Sequence, residues 1–248
     1  MQRLFLALML AMAGILLAAE PGKHIVDAVN HKDRPAGDRE LDVMRKPAEV
    51  LAFFGVEPGM NIVDIFAGNG YYTEMLARVA GPKGKVYLHN NAAWMSYVEK
   101  EVKARLEDNR LTNVERFDRE FKDFDLPEGQ ADLITMVLVF HDLYYTAEGW
   151  PKVDVDAFLA QIYKGLKPGG TLAIVDHDAR AGSGSESAQN LHRIDSEFAR
   201  KVLVGAGFKF EGQSNILENE DDDHTLSVFD ESMRRKSDRF IFKFSKPK

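Results

Sequence analysis

The sequence of 248 residues contains no cysteine. This absence excludes disulfides, thiolate nucleophiles, iron–sulfur clusters, cysteine-ligated zinc and a lipid attached to a cysteine behind a signal peptide. An excess of positive charge is also missing, because 32 Lys and Arg stand against 39 Asp and Glu, for a formal net charge of −7. A surface that wraps nucleic acid normally carries the opposite sign, so we expect no nucleic-acid partner.

The remaining composition is that of a folded protein. Apolar residues make up 45% of the chain and charged residues 29%, which argues against wholesale disorder. The length suits one large α/β domain with an ample buried core. Nothing in the sequence indicates the oligomeric state.

The first residues, Met1–Ala19, have the pattern of a secretory signal peptide. Arg3 gives a short positive start, Leu4–Leu17 is apolar, and Ala18 and Ala19 are small. The apolar run is shorter than the ~20 residues of a spanning helix. An uncleaved anchor or a buried helix is the alternative. We therefore expect an exported, periplasmic protein without stable membrane insertion after cleavage.

The rest of the chain divides into a helical and loop lead-in over residues 20–43 and one domain over residues 44–248. Apolar, β-branched runs bounded by Gly and Pro alternate with amphipathic segments. The predicted strands are 61–66, 85–89, 114–117, 131–140, 171–176, 208–217 and 239–244. The predicted helices include 41–54, 71–79, 95–109, 155–166 and 188–206. This alternation predicts a Rossmann-like, doubly wound and mostly parallel sheet that ends in an antiparallel hairpin.

The turn after the first strand carries the most specific motif. Asp64 lies late in the strand, Gly68 and Gly70 occupy the turn, and a helix follows. Glycines let the backbone approach a ligand, and ligands bind at this end of parallel strands. A dinucleotide site needs G-x-G-x-x-G, but Thr73 occupies the position of the third glycine. An S-adenosylmethionine pattern, D-x-G-x-G-x-G, places Phe66 at its first glycine. A plain tight turn is the third interpretation.

Further stretches add context to this motif. They are the turns Gly81–Gly84, Leu166–Leu172 and Ala206–Phe208, together with Pro47–Glu49, Gly68–Tyr72, Phe140–Leu143, Asp176–His177 and Ser237–Phe240. With them the chain, over roughly residues 44–244, resembles the class I S-adenosylmethionine-dependent methyltransferases. More narrowly, it resembles a family of predicted exported bacterial methyltransferases whose substrates are not established.

The resemblance implies a seven-stranded sheet with the last strand antiparallel and S-adenosyl-L-methionine as cofactor. It implies that Asp64 and the glycine turn hold the methionine part, and that Asn90 stands where an acid takes the ribose hydroxyls. Glu120, with Asp118 and Asp123, is a candidate beside the adenine. The cofactor-binding residues expected on this basis are Asp64, Ala67, Gly68, Asn69, Gly70, Thr73, Asn90 and Glu120.

Polar residues follow the fourth and fifth predicted strands. His141 and Asp142 follow one, and His177, between Asp176 and Asp178, follows the other. Strand ends of a parallel sheet share one crevice, so His141, Asp142 and His177 are the expected catalytic residues. His141 could instead cap a turn. His177 could be a carboxylate-oriented base, a metal ligand or a hydrogen-bonded loop histidine. No metal-ligand set is assigned, and His192 is expected to pack on a helix.

These patterns predict a methyltransferase that acts on a small molecule. The alternative is an exported protein that keeps the fold but binds another ligand or has lost the donor, because Phe66 and Asn90 depart from the pattern and this donor is made in the cytoplasm. A nicotinamide-dependent oxidoreductase is disfavoured by Thr73 and by the missing ribose acid.

Overall fold

A computed structural model describes residues 20–248, so the predicted signal peptide Met1–Ala19 lies outside the described residues. Within residues 20–248, no helix is both long enough and apolar enough to cross a membrane.

Seven strands form one sheet, with the order β3-β2-β1-β4-β5-β7-β6. The strands are β1 Asn61–Ile65, β2 Lys85–Asn90, β3 Val114–Asp118, β4 Ala131–Val137, β5 Leu166–His177, β6 Lys209–Ser214 and β7 Arg239–Ser245. The first five pair in parallel, and β7 runs antiparallel to both β5 and β6. The expected doubly wound sheet and its terminal hairpin are thereby confirmed.

Helices surround this sheet. They are α1 Lys23–Val29, α2 Ala36–Arg45, α3 Pro47–Phe54, α4 Tyr71–Ala80, α5 Ala92–Leu106, α6 Val155–Gly165, α7 Ala188–Leu191 and α8 Ser196–Gly205. A short 3₁₀ turn spans His141–Tyr144.

The central strands are apolar on both faces, which explains their nearly continuous apolar sequence. In β4, Ile134 and Met136 belong to a core with the phenylalanines of α6 and β7, whereas Leu133 belongs to a second core with α3 and α4. The same alternation holds along β5. Burial on both sides fixes the sheet in the middle of the protein and leaves its strand ends to carry the polar groups.

Three predicted elements end earlier than expected, each at a non-glycine residue with positive φ. The fourth strand stops at Val137 because Leu138 takes φ 62°. The helix predicted over 41–54 divides at Lys46, φ 42°, since Pro47 disfavours a helical residue before it. The helix predicted over 188–206 divides at His192, φ 53°, and α8 restarts behind the Asp195 cap.

A buried ionic cluster ties α4 to the segments around it. Glu74 is fully buried, and its carboxylate accepts hydrogen bonds of 2.7 Å from each of Arg78, Arg105 and Arg110. Arg105 also donates from Nε to the carbonyl oxygen of Asn69 in the glycine turn. The cluster therefore supports both the helix and the turn before it.

We expect Glu74→Gln to lower the free energy of unfolding by about 3 kcal/mol, because it leaves three guanidinium groups without their shared carboxylate. Urea unfolding at neutral pH measures this change. Glu101→Gln on the exposed face of α5 is the matched control. An equal loss in both variants would contradict the structural role assigned to Glu74.

Candidate active site

A cleft of about 170 Å³ opens at the carboxyl ends of β1 and β4, where the strand order reverses. This reversal is the usual ligand position in an open α/β sheet. The lining residues are Arg45, Asp64, Phe66–Asn69, Tyr71, Tyr72, Trp94 and Val137–Val139. The predicted glycine turn is thus one wall of the cleft.

The two glycines of the turn are required for different reasons. Both have positive φ, 58° at Gly68 and 82° at Gly70. No atom lies within 4 Å of the place where a side chain on Gly68 would begin, so open space borders the backbone there. At Gly70 a Cβ would lie 2.8 Å from Cδ of Arg105. The first glycine therefore leaves room beside the turn, and the second admits the arginine below it.

Phe66 occupies the position that the S-adenosylmethionine pattern gives to glycine. Its φ of 51° explains that preference, since a residue with a Cβ is strained in this region. The ring is buried and packs against Phe121 at 4.8 Å and against His89 at 5.3 Å between ring centroids. It forms a wall of the cleft, and the cleft persists beside it.

Asp64 lies beneath the turn, and both of its carboxylate oxygens are bonded. Thr73 donates to one oxygen at 2.6 Å and Thr135 donates to the other at 2.8 Å. Burial raises the pKa of Asp64 to about 6, against the effect of these two hydroxyls. Asp64 and Thr73, both predicted as cofactor residues, therefore also join β1, α4 and β4 at the base of the cleft.

Asn90, at the end of β2, grips the backbone of the glycine turn. Its Oδ1 accepts from the amide N–H of Gly68 at 3.0 Å, and its Nδ2 donates to the carbonyl of the same residue at 2.9 Å. An amide can bond both groups of one residue in this way, whereas an ionised carboxylate can only accept. The departure from an acidic residue thus has a structural cause, and the ribose role of Asn90 stays a prediction.

Two buried N–H donors near this end of the cleft have no hydrogen-bond partner among residues 20–248: Nδ2 of Asn91 and Nε1 of Trp94. The Asn91 oxygen caps α5 by accepting from the amide of Trp94. Glu120 is half-buried and accepts from the amide of Ala92 at the first turn of that helix. Ligand oxygens would satisfy the two unpartnered donors.

Arg45 enters the cleft from the end of α2. Its guanidinium lies 4.4 Å from the ring centre of Tyr71, and no ion pair to it is found in the described part of the chain. Nearby, Tyr71 donates to Asp42, which is already paired with Arg34. The cleft therefore offers one cation without a counterion, and a carboxylate is the ligand group that would match it.

A second polar group follows β4 and β5. The amide N–H of His141 donates to Oδ2 of Asp176 at 2.7 Å, and its ring Nδ1 lies 2.8 Å from Oδ1 of the same residue. The ring Nε2 lies 3.3 Å from Oδ1 of Asp142. Burial disfavours a charged ring, but Asp176 and Asp142 raise the pKa of His141 to about 9. At neutral pH this ring carries the extra proton.

Asp142 itself is 6% exposed, and within residues 20–248 its carboxylate accepts no hydrogen bond. Burial raises its pKa to about 6. His192 joins the group from the break between α7 and α8, with Nδ1 4.0 Å from Oδ1 of Asp142. We call these three residues, His141, Asp142 and His192, the histidine–aspartate cluster.

The ring of His177 lies 6.0 Å from that of His141, so the two predicted strand-end histidines do converge. The carboxylates that flank His177 in sequence are used elsewhere. Asp176 holds His141, and Asp178 accepts from Ser196 at the start of α8. The ring of His177 instead lies 2.6 Å from Oγ of Ser237. Burial and the charge on His141 lower its pKa well below the usual value.

Three residues of the site escaped the sequence patterns. Arg45 lies before the first strand, at the end of α2, and Trp94 belongs to no motif of the sequence. His192 was expected on a helix face, but it leaves the helix with positive φ and reaches the cluster.

Known proteins are similar to this chain at two levels. The model of a family described as methyltransferase domain matches residues 56–226. A ubiquinone/menaquinone biosynthesis C-methyltransferase from Shewanella piezotolerans is 28% identical over 123 residues, which cover 49% of this chain and 44% of that protein. Its counterpart from Cupriavidus necator is 29% identical over 164 residues, 66% of this chain and 59% of that protein. The chain thus matches about half the length of these curated relatives.

Solved structures agree on the fold. A S-adenosylmethionine-dependent methyltransferase from Aquifex aeolicus has a TM-score of 0.57 at 23% identity, covering 87% of this chain and all of that one. One from Mesorhizobium loti has a TM-score of 0.58 at 15% identity, covering 83% and 99% of the two chains. At these identities the likeness concerns architecture.

His89 gives the site a pH-dependent stability. Its Nδ1 accepts from the amide of Phe66, its Nε2 donates to the carbonyl of Arg119, and burial lowers its pKa to about 4. Because the unfolded chain takes up this proton near pH 6.5 and the folded chain near 4, the contribution is complete above pH 6.5. It is lost between pH 6.5 and 4, by about 3 kcal/mol.

We therefore expect the stability difference between wild type and His89→Gln to shrink as the pH falls from 7 to 4.5. Urea unfolding at several pH values measures this gap, and ring ¹⁵N shifts should show His89 still neutral at pH 5. A gap that is independent of pH would contradict the assignment.

For Asn90→Asp we expect a loss of about 1–3 kcal/mol in unfolding free energy, because the carbonyl of Gly68 loses its donor and meets a carboxylate oxygen instead. Chemical denaturation at neutral pH tests this expectation. Asn190→Asp, on an exposed position of α7, is the matched control. If Asn90→Asp is as stable as its control, the two hydrogen bonds to Gly68 do not explain why an amide stands at position 90.

Proposed function

The chain belongs to the methyltransferase-domain family, and from this premise we propose that it transfers a methyl group from S-adenosylmethionine to a small organic molecule. The observation that carries the proposal is the unpaired Arg45 in the cleft beside the open backbone at Gly68. It places a cation where a ligand with a carboxylate can approach the glycine turn.

The cleft's free groups fit the chemistry of this donor. Arg45 would hold the carboxylate of its methionine part, and the backbone at Gly68 and Asn69 would border the chain behind it. The unpartnered N–H groups of Asn91 and Trp94 would donate to ribose oxygens, in place of an acid at the end of β2. When bound, S-adenosylmethionine supplies a methyl group on a positively charged sulfur.

We place the methyl acceptor against the polar residues after β4 and β5. Leu138 and Val139 line the cleft, and His141 and Asp142 follow in the next turn. The carboxylate of Asp142 is free of hydrogen bonds and can accept a proton from the acceptor, whereas the ring of His141 already holds one. A pKa near 6 suits a base that works near neutral pH. His177 borders this position at the neighbouring strand end.

The proposal includes the surroundings expected from the sequence. The pattern at Met1–Ala19 supports export to the periplasm, and the net charge of −7 supports a small-molecule acceptor over a nucleic acid. The names of the curated relatives concern quinone biosynthesis, and the chain matches about half of their length, so the acceptor is left at the level of a small organic molecule.

Calorimetric titration of the purified protein tests donor binding. We expect S-adenosylmethionine and S-adenosylhomocysteine to bind, and Arg45→Met to weaken both at least tenfold, because charge-assisted hydrogen bonds contribute ~1.5–3 kcal/mol. The exposed Arg180→Met is the matched control and should bind like wild type. Methylthioadenosine lacks the carboxylate, so it should bind wild type and Arg45→Met equally.

Two outcomes would count against these assignments. Wild type that binds none of the three compounds at millimolar concentration would defeat the methyltransferase activity and favour a protein that kept the fold and lost the donor. Binding that Arg45→Met leaves intact would defeat the role of Arg45 alone.

A further inference from the structure

We propose that the histidine–aspartate cluster is a binding site for one divalent transition-metal ion, such as Zn²⁺ or Mn²⁺. One ligand atom from each of His141, Asp142 and His192 lies within 4.8 Å of the other two. Two imidazoles with one carboxylate are a ligand set that such ions favour, and one that leaves positions open for water or substrate.

The orientation of His141 favours this use. Its Nδ1 faces Asp176, so in the neutral ring the proton lies on Nδ1 and the lone pair lies on Nε2. That Nε2 atom points to Asp142, at 3.3 Å from Oδ1. A carboxylate behind a ligating histidine is the usual outer-shell arrangement of protein metal sites, because it fixes the ring and increases its basicity.

Asp142 supplies an independent observation. The residue is more than nine-tenths buried, and its carboxylate has no hydrogen-bond donor within residues 20–248, yet it faces two imidazoles. A carboxylate that is mostly withdrawn from water is stabilised by a cation close to it. Together with Asp176, two buried acids converge on this place, and a dication bound here would offset the charge of both.

The third ligand, His192, lies slightly too far away for metal coordination and needs a small shift. His192 is held between the rings of Tyr145 and Phe229, at 4.9 and 4.7 Å between centroids, and its side chain is 21% exposed. Ligand atoms around a four-coordinate ion lie about 3.4 Å apart, given bonds of about 2.1 Å. The pair of His141 and Asp142 already has this spacing. Nδ1 of His192, at 4.0 Å from Asp142, needs to approach by about half an ångström.

The ligands also indicate the class of metal. Mg²⁺ and Ca²⁺ prefer oxygen donors, and two of these three donors are nitrogens. The absence of cysteine excludes thiolate ligands, which soft ions prefer. The role of the ion in turnover rests on the proposed methyltransferase function: it would bind an oxygen of the acceptor at the end of the cleft near Val139, and in the metal-bound protein the ion, and not the ligating Asp142, would promote loss of the acceptor's proton. Metal binding itself does not depend on that function.

The test is metal titration of the purified protein after treatment with a chelator, in the absence of any methyl donor. We expect Zn²⁺, Mn²⁺ and Co²⁺ each to bind at one ion per chain, and Co²⁺ to develop d–d absorption bands that report nitrogen ligation. Mg²⁺ and Ca²⁺ should bind at least a hundredfold more weakly.

Variants locate the ion. His192→Gln and Asp142→Asn should each weaken binding at least a hundredfold, and Asp176→Asn, behind the ligand, by 10–100-fold. His224→Gln is the matched control. His224 also pairs with an aspartate, Asp238 at 3.1 Å, but it belongs to no three-ligand group among residues 20–248. Circular dichroism of the metal-free proteins checks that each variant is folded, and Asp142→Asn removes no hydrogen bond of the fold.

The proposal is overturned if no ion binds at micromolar concentration, if Mg²⁺ binds as tightly as Zn²⁺, or if the two ligand variants bind like wild type. It is also overturned if His224→Gln loses as much affinity as His192→Gln. Failure here with intact donor binding leaves the methyltransferase function standing, and metal binding without donor binding removes only that function.

Discussion

The pairing of Asp176 with His141 is the interaction on which the rest of the site depends. One carboxylate at the end of β5 holds both the backbone N–H and the ring of the first residue after the β4 turn. These two hydrogen bonds join the end of β5 to the turn after β4 and fix the orientation of the imidazole ring. Because the ring is fixed, its second nitrogen faces Asp142, and His192 can complete the group from the break before α8. Without it, the 3₁₀ turn that carries His141 and Asp142 would not be fixed beside His192.

Around the glycine turn, polar side chains near the cleft form hydrogen bonds within the protein and so hold the turn in place. Asn90 bonds both polar groups of Gly68, Arg105 bonds the carbonyl of Asn69, and Asp64 bonds two hydroxyls. In the proposed complex, binding would fall to groups without a partner in the described part of the chain, namely Arg45 and the donors of Asn91 and Trp94. A substitution at Asn90 or Asp64 is therefore expected to change stability together with any effect on binding. Substitution of Arg45, Asn91 or Trp94 is needed to change binding separately from these bonds of the turn.

The sheet and its terminal hairpin were predictable from the sequence because buried strands need apolar runs. Such a run consists of consecutive residues, so it can be recognised without knowledge of the fold. The strand-end positions of Asp64, His141 and His177 followed from the same runs. Arg45, Trp94 and His192 were not predictable, since each reaches the site through contacts between distant segments. Leu138 and His192 take positive φ without being glycine, so the breaks they create have no signature in the sequence, whereas Pro47 signals the break at Lys46. The break at His192 is the one that brings a helix-like segment to the cluster.

Charge is distributed unevenly around the cleft, and this bears on how a donor can lie in it. Arg45 lines the cleft from the helices before β1 and has no ion pair in the described part of the chain, whereas the turn after β4 and the end of β5 contribute the buried acids Asp142 and Asp176, which lie outside the lining. S-adenosylmethionine carries a carboxylate at one end of its methionine part and a sulfonium at the other. In the proposed complex, Arg45 and these acids would favour the orientation that directs the carboxylate to Arg45 and the sulfonium toward the acids. Because these interactions are partly withdrawn from water, they are screened less than surface pairs and can select one orientation over its reverse.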